Sequence, residues 1–435
     1  MRAQVFTGVS LLGLLLLAVG CGSTSDDADD AVDGGDGDEG MTVEEDVIPG
    51  TVDPGTGEWE PVPRDELMEV CELDAELLDA ADEKMTTPYA IVRHGRLCHE
   101  YYPEGRDKDT VIGVASATKT LGAAMVGAVI YQTRELAVDG DKTGPLSEFD
   151  RVDAWLDSFS FNQDAQIAHV MAMVGHNADL SWGEKVRNYD TTGSVQINRL
   201  SDILNAAIAQ DTERLGADLH EFSQRHFFDK IGATSSSWSG TGANKIFGFS
   251  WNANVRDMAR VGLLLLNDGV WSGERLIGPD YVYRMSRPTF EDADTGYGYL
   301  SWLAARANWS FAGIVPGLSD KFETPSMDCM PSAIWESYPH ELSEAQDCMY
   351  APHARCGNEY DVGTWSAQGA GGQYILMIDA LDMVLVLQDV GENQNNLAWL
   401  RIRPAVIAGD PVFADDPSGF CDAFAGNRHA PHLME

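Results

Sequence analysis

Patterns typical of β-strands lie near both ends of this chain, and patterns typical of helices lie between them. Apolar β-formers around a glycine turn predict a hairpin over Tyr89–Arg93 and Leu97–Tyr102, and further strands are predicted over 296–303 and 373–387, the last interrupted at 379–382. Apolar residues at helical spacing predict helices over Trp155–Phe161, Gln166–Val174, Leu200–Ala209 and Ala253–Leu266. We therefore expect an α+β fold, with an antiparallel sheet built from both chain ends and flanked by helices, and a mostly helical lobe inserted at about residues 117–284.

The first twenty residues resemble a bacterial lipoprotein signal. Arg2 precedes an apolar core, Val9–Val19, which is too short to stay in a membrane as a spanning helix, and small residues lead to Gly20-Cys21. We expect residues 1–20 to be a signal peptide, Cys21 to be lipidated, and the membrane to be contacted only through this anchor. Because Gly22 is not the aspartate associated with inner-membrane retention, the expected location is the outer membrane of the cell envelope. Plain secretion is the alternative.

The next segment is strongly acidic. Eleven acidic and no basic residues fall within 26–46, without apolar periodicity, so residues 21–57 are predicted to be a disordered tether. The formal net charge of the chain is −40, and about −29 remains when this segment is set aside. Binding to nucleic acid is therefore not expected, since a polyphosphate is attracted by positive charge. Residues 58–435 are long enough for one large folded domain or for two closely packed lobes.

The cysteines after Cys21 are even in number, which indicates disulfides in an exported chain: Cys71, Cys98, Cys329, Cys348, Cys356 and Cys421. Their pairing is left open, because many connectivities fit six cysteines. Three of them fall within 322–363, a stretch with little periodicity that is predicted to be a disulfide-stapled insertion. The sequence lacks the spacings typical of metal sites, so neither a metal nor a cofactor is expected.

Ser116 and Lys119 are the strongest candidates for catalysis. They stand at the start of an apolar run, Leu121–Ile130, and residues three apart on a helix share a face. A lysine buried in apolar surroundings can lose its charge and accept the serine proton, which makes the hydroxyl a nucleophile for acyl transfer. The N–H groups at a helix start also favour developing negative charge. A Ser-x-x-Lys spacing also arises by chance, so its context has to decide.

Further segments, in order along the chain, supply that context: Ala90–Arg96, His169-Val170-Met171, Val255–Gly262 with Asn267-Asp268-Gly269, Tyr297-Gly298-Tyr299, and Gly369–Tyr374. With them, the chain from about Pro88 to Pro404 resembles the serine hydrolases of the β-lactamase and penicillin-binding-protein family, especially the branch of class C β-lactamases and esterases. The resemblance implies a β-lactamase/transpeptidase-like fold. It also implies that Ser116 is the nucleophile and Lys119 its base.

The family's second and third motifs are altered in this chain. The second is a tyrosine followed two residues on by asparagine, and here Tyr189-Asp190-Thr191 stands in its place. Tyr189 is expected to shuttle protons, and a buried structural tyrosine is the alternative. The third motif normally carries lysine or histidine, then threonine and glycine, whereas this chain has Ala367-Gln368-Gly369. The usual anchor for a substrate carboxylate is therefore absent from the motif.

By the resemblance, the backbone N–H groups of Ser116 and Ala370 would form the oxyanion hole. Gln368 and Gly369 are expected to bind substrate, and Trp365 is expected to line the cleft. Two histidines, His169 and His176, are expected to be structural, because the chain has no Gly-x-Ser-x-Gly elbow and a Ser-Lys pair needs no imidazole.

These observations predict an exported serine hydrolase that cleaves a small ester or amide through an acyl-enzyme on Ser116. One alternative is a DD-peptidase or β-lactamase. Another is a catalytically silent surface lipoprotein that keeps the fold as a binding module, which the altered motifs allow. The oligomeric state and the natural substrate are left open by the sequence.

Overall fold

A computed structural model describes residues 48, 50–140, 143–160, 162–175, 189, 196–287, 289, 297–303, 364–390, 398, 401–402 and 404–406. The predicted signal peptide, Cys21, most of the tether and the insertion at 322–363 lie outside these residues, as do Cys329, Cys348, Cys356 and Cys421. Within the described part, no helix is both long and apolar enough to cross a bilayer.

The strands are, in chain order, β1 (Tyr89–Arg93), β2 (Arg96–Tyr101), β3 (Ile112–Gly113), β4 (Ser237–Trp238), β5 (Gly240–Thr241), β6 (Asn244–Lys245), β7 (Trp251–Ala253), β8 (Val270–Trp271), β9 (Glu274–Arg275), β10 (Trp302–Leu303), β11 (Thr364–Gly369), β12 (Gln373–Ile378) and β13 (Met383–Leu387). Six of them form one sheet in the order β10-β11-β12-β13-β1-β2. Every neighbouring pair in it is antiparallel. The sheet therefore joins the two ends of the described chain, as the sequence predicts.

The helices are α1 (Leu67–Cys71), α2 (Ala75–Asp82), α3 (Thr118–Thr133), α4 (Ile167–Met171), α5 (Arg199–Ile208), α6 (Thr212–Leu215), α7 (Leu219–Ser223), α8 (Asp229–Ile231), α9 (Val255–Leu266) and α10 (Pro279–Met285). A π-helical turn, Gln224–Phe228, connects α7 to α8. The first helix after the β1–β2 hairpin, α3, is buried over most of its length, which explains why its sequence is apolar on all sides.

The sheet is covered on both faces. Alternate residues of β13 divide between two clusters: Val384 and Val386 pack with α3 and α9, whereas Leu385 and Leu387 pack with α1 and α2. Gly262 allows α9 to lie close to the sheet, since a Cβ there would be 2.6 Å from a Val384 methyl. Strands buried on both faces show continuous apolar runs rather than alternation, which is what the sequence of β12 and β13 shows.

Two of the predicted elements differ in the structure. The helix predicted over Trp155–Phe161 is wrong for residues 155–160, which the structure describes. A 3₁₀ turn at Val152–Ala154 precedes Trp155, and the chain then bends. The Val152 N–H donates to the Ala165 carbonyl at 2.8 Å, which folds the segment back on itself. The strand predicted over 296–303 is reduced to β10, because Leu300 has a φ of 50° and turns the chain, so that Tyr297 pairs with Trp302.

The N-terminal part is fastened to the domain at two places. A disulfide joins Cys71 at the end of α1 to Cys98 in β2, with the Cα atoms 5.9 Å apart. Ahead of the predicted boundary at residue 58, Asp53 accepts hydrogen bonds from the Ser272 N–H at 2.8 Å and hydroxyl at 3.0 Å. The Arg260 guanidinium donates to the Gly55 carbonyl at 2.8 Å. The packed part of the chain therefore begins before residue 58, a correction to the predicted tether.

Candidate active site

The segment that carries Ser116 is held by a short sheet of β3, β7 and β4. After β3, the Val114 N–H donates to the Trp251 carbonyl at 2.9 Å. Ala115 then takes a left-handed φ of 49°, and Ser116 lies in a 3₁₀ turn, Ala115–Ala117, that leads into α3. A sharp turn therefore presents the Ser116 side chain at the start of a buried helix.

Thr118 supports this turn from within the helix. Its hydroxyl donates to the Ala115 carbonyl at 2.6 Å and accepts from the Trp251 N–H at 3.1 Å. A non-glycine residue in the left-handed region costs about 1–3 kcal/mol, and such strain persists only where the surroundings impose it. The hydrogen bonds of Thr118 impose it here, one residue before the candidate nucleophile.

Lys119 lies directly beside Ser116. Its Nζ is 2.9 Å from Ser116 Oγ and donates to the Gly248 carbonyl at 2.8 Å. The side chain is buried, and burial lowers the pKa of its amine from an ordinary value of 10.5 to about 8. In the described part of the chain, no carboxylate pairs with this amine to restore its charge. Lys119 is therefore placed to accept a proton from the Ser116 hydroxyl at neutral to mildly alkaline pH.

The Tyr189 ring lies against Lys119, with its centroid 4.9 Å from Nζ. It packs at 5.3 Å, centroid to centroid, on Trp302 and at 6.1 Å on Tyr297. The structure thus brings the predicted second-motif tyrosine to the Ser-Lys pair. The contact seen is through the ring face, so the predicted proton transfer through its hydroxyl stays a prediction.

The turn between β11 and β12 lies against the Ser116 segment. A Cβ on Gly369 would be 2.1 Å from the Val114 carbonyl oxygen and 3.1 Å from the Ala117 nitrogen, so only glycine permits this approach. Ala370 follows at the tip of the turn. Among the described residues, the backbone N–H groups of Ser116 and Ala370 have no acceptor. In the part of the chain that the structure describes, these two donors are thus left without an acceptor, one on each of the two segments that meet at Gly369.

The side chains of Gln368 and Trp365 do not lie where the third motif predicts. Gln368 pairs with Tyr374, which belongs to the cluster on the far face of the sheet from α3, and its amide donates to the Ser366 hydroxyl at 3.0 Å. Trp365 is on the α3 face but is only 1% exposed, so it belongs to the core rather than to an open cleft. The period of two along a strand explains the position of Gln368, and the packing of β11 on α3 explains the burial of Trp365.

Ala367 is the residue of the third motif that faces α3. It pairs with Ile375 and is packed in the same cluster as the start of that helix. A lysine or histidine at this position would bring a positive charge to the side of the sheet that faces α3, and alanine supplies none. Ala367 stands where the family has lysine or histidine, and it faces α3. Gln368, the predicted substrate contact, faces the other side of the sheet, because side chains alternate along a strand.

Gly248 and Phe249 could not be recognised from the sequence. Gly248 holds Lys119 through its carbonyl, and the next residue, Phe249, is 61% exposed. A backbone acceptor leaves no signature in a sequence, whereas Phe249 carries the weak signal of an aromatic side chain beside a glycine. His169 is structural as predicted, because its Nδ1 accepts from the Gln166 N–H at 3.1 Å and caps α4. His176 lies outside the described residues.

In the part of the chain that the structure describes, no group of histidine, cysteine, aspartate and glutamate side chains is placed to hold a metal ion.

Comparison with known proteins gives similarities at the level of structure. No family model and no curated protein matches the chain. A family VIII carboxylesterase is 13% identical over 81% of this chain and 99% of its own, with a TM-score of 0.47. A penicillin-binding-protein homologue from Caulobacter crescentus is 11% identical over 81% and 99%, also with a TM-score of 0.47. A β-lactamase/D-alanine carboxypeptidase from Pseudomonas syringae is 13% identical over 78% and 98%, with a TM-score of 0.44. At these scores, function has to be derived from the geometry around Ser116.

Proposed function

We propose that this protein is a serine hydrolase that transfers an acyl group from a small ester or amide to Ser116 and then to water. The contact of 2.9 Å between Ser116 Oγ and Lys119 Nζ carries the proposal. A nucleophile within hydrogen-bonding distance of a base whose pKa is lowered to about 8 is the arrangement that acyl transfer requires.

In the first step, the proton of the Ser116 hydroxyl passes to the neutral amine of Lys119 while Oγ forms a bond with the substrate carbonyl carbon. The carbonyl electron pair moves to its oxygen. When the tetrahedral intermediate collapses, the bond to the alcohol or amine breaks, and Lys119 returns the proton to that leaving group. Water then repeats the sequence on the acyl-enzyme, with Lys119 as its base, and releases the acid.

The N–H groups of Ser116 and Ala370, which have no acceptor among the described residues, supply the donors for the oxyanion of this intermediate. Their hydrogen bonds strengthen as negative charge develops on the substrate oxygen, so they act on the transition state more than on the bound substrate. Gly369 makes the arrangement possible, because its close approach to Val114 brings the Ala370 end of the turn to the Ser116 segment.

Neutral substrates fit the surroundings of Ser116 and Lys119 better than anionic ones. Ala367 brings no cation to the face of the sheet that carries Ser116. The Tyr189 ring lies against Lys119 and packs on Trp302, and the exposed Phe249 follows directly after Gly248. The chain's net charge of −40 also repels anions. We propose short esters with apolar groups as the preferred substrate class.

Labelling with a fluorophosphonate probe tests the proposal. The unmodified protein should be labelled on Ser116, and Ser116→Ala should not be labelled. Ser223→Ala is a matched control, since that serine is buried in α7 and its hydroxyl only donates to the His220 carbonyl. An unlabelled protein that is folded would favour the silent binding module instead.

We propose further that the protein is exported and lipid-anchored. The sequence ending in Gly20-Cys21 motivates this, and the Cys71–Cys98 disulfide supports it, because such bonds persist in oxidising compartments. Membrane fractionation with mass spectrometry of the mature N-terminus should find an acylated Cys21, and Cys21→Ala should release the protein. A mature protein that starts elsewhere and is unaffected by Cys21→Ala would contradict the anchor.

A further inference from the structure

The turn that carries Ala370 is backed by a buried glutamine. Gln373 begins β12 and is 3% exposed. Its amide is bonded to one partner in both directions: Nε2 donates to Asp389 Oδ1 at 2.6 Å, and Oε1 accepts from the Asp389 N–H at 3.4 Å. A buried amide held at both ends has little freedom to change its rotamer, so Gln373 is fixed relative to Asp389.

Asp389 is fixed in turn by an arginine from another part of the chain. Its second carboxylate oxygen, Oδ2, forms an ion pair with Arg106. Arg106 lies in the segment between β2 and β3, which leads to Ser116. The three side chains therefore connect the segment that precedes the nucleophile to the end of β13 and to the start of β12.

These side chains touch the turn at several points. A Cβ on Gly369 would be 3.1 Å from Gln373 Cβ, and one on Gly371 would be 3.6 Å from Gln373 Nε2. Directly after Asp389, the Val390 N–H donates to the Gly372 carbonyl at 3.3 Å. Both sides of Ala370 are thus supported by Gln373 or by the backbone next to Asp389.

We propose that Gln373, Asp389 and Arg106 are positioning residues, which hold the turn from Gly369 to Gly372 so that the Ala370 N–H faces the oxyanion formed at Ser116. The inference rests on the proposed hydrolase function. None of the three needs to touch the substrate. Gly369 separates Gln373 from Val114, so a shift of the Gln373 side chain moves the turn against the nucleophile segment.

The physical consequence of loosening this network is weaker stabilisation of the transition state. Removing one oxyanion donor costs a factor on the order of 10²–10³ in kcat, and a displaced donor costs part of that. Binding of the uncharged substrate depends little on this hydrogen bond. Loosening the network should therefore lower kcat and leave KM almost unchanged, whereas a defect of general stability would lower the melting temperature without lowering the turnover of each folded molecule.

The experiment compares Gln373→Met with Gln388→Met. Both replace a buried glutamine at the β12 or β13 end by an unbranched apolar side chain, but the Gln388 amide donates to the Ala253 carbonyl at 3.2 Å and not to the network. Asp389→Asn is the third variant. It keeps an acceptor for Gln373, loses the ion pair with Arg106, and suits the left-handed φ of 55° at this position. Turnover of a p-nitrophenyl ester is normalised to the fraction labelled by the fluorophosphonate.

Gln373→Met should lower kcat about ten- to a hundredfold with KM within twofold, and Asp389→Asn should lower kcat about three- to tenfold. Gln388→Met should keep kcat within twofold, even if its melting temperature falls as much as that of Gln373→Met. Equal kcat in Gln373→Met and Gln388→Met, with the unmodified protein labelled and active, would overturn the positioning role alone. An unmodified protein without labelling or turnover would overturn the proposed function and this inference with it.

Discussion

The carbonyl oxygen of Gly248 lies 2.8 Å from Lys119 Nζ and accepts a hydrogen bond from it. A neutral amine has two hydrogens and one lone pair. With one hydrogen directed to Gly248, its lone pair can face the Ser116 hydroxyl 2.9 Å away. The backbone of the segment before β7 therefore orients the base, and the reaction depends on the protonation state of this one amine.

The first prediction concerns the dependence of catalysis on pH. Burial lowers the pKa of Lys119 to about 8, and only the neutral amine can accept the serine proton. The value of kcat/KM for a neutral aryl ester should rise about tenfold per pH unit below pH 8 and level off above it. Initial rates between pH 6 and pH 9.5 measure this. A profile that is flat across that range would mean that another group is the base.

The second prediction concerns stability. The unfolded lysine holds its proton up to about pH 10.5 and the folded one only up to about 8, so the unfolded chain binds more protons between these values. The free energy of unfolding should therefore rise with pH in that window, by about 3 kcal/mol in total from this group. Lys119→Met cannot titrate. Compared with it, the unmodified protein should gain about 2–3 kcal/mol between pH 7 and pH 10 in guanidinium titrations. If the difference in the free energy of unfolding between the two proteins stays constant from pH 7 to pH 10, the pKa of Lys119 is not lowered.

The third prediction separates the hydroxyl of Tyr189 from its ring. Tyr189→Phe keeps the ring that lies 4.9 Å from Lys119 Nζ but removes the group that would shuttle protons. The loss in kcat should be on the order of 10²-fold, smaller than for Ser116→Ala. Tyr297→Phe is the control, since Tyr297 belongs to the same aromatic cluster and is buried. Full activity of Tyr189→Phe would show that another hydroxyl carries the proton.

The fourth prediction concerns substrate charge. A charge-assisted hydrogen bond contributes about 1.5–3 kcal/mol, and Ala367 cannot form one. The unmodified protein should therefore have a higher kcat/KM for a p-nitrophenyl ester than for a chromogenic cephalosporin, and Ala367→Lys should shift this ratio about ten- to a hundredfold toward the cephalosporin. Circular dichroism checks that the lysine is tolerated at this buried position. Efficient cephalosporin hydrolysis without the substitution would favour the β-lactamase alternative.

The fold class could be predicted from the sequence because its signals are local, and the signals that make Ser116 the predicted nucleophile are local as well. The hairpin of β1 and β2, the helix α9 and the Ser116-Lys119 spacing each follow from residues within a few turns of one another. The shortening of the predicted strand 296–303 to β10 could not be predicted, since the residue in the left-handed turn, Leu300, is not a glycine.

The errors at the site come from interactions between distant segments. Trp365 is polar at one end and could line a cleft, but the packing of β11 on α3 buries it. Gly248 is joined to Lys119 only through a backbone carbonyl, which any residue type could provide. Contacts of this kind depend on which elements pack against one another in the fold, and this cannot be derived from a single sequence.

Trapping the acyl-enzyme tests directly whether Ser116 is the nucleophile. The protein is mixed with a p-nitrophenyl ester, quenched with acid within milliseconds to seconds, digested, and analysed by mass spectrometry. One acyl group is expected on the peptide that contains Ser116, with a matching burst of p-nitrophenol and slower formation of both in Lys119→Met. An acyl group on a different residue, or undiminished turnover in Ser116→Ala, would contradict this role of Ser116.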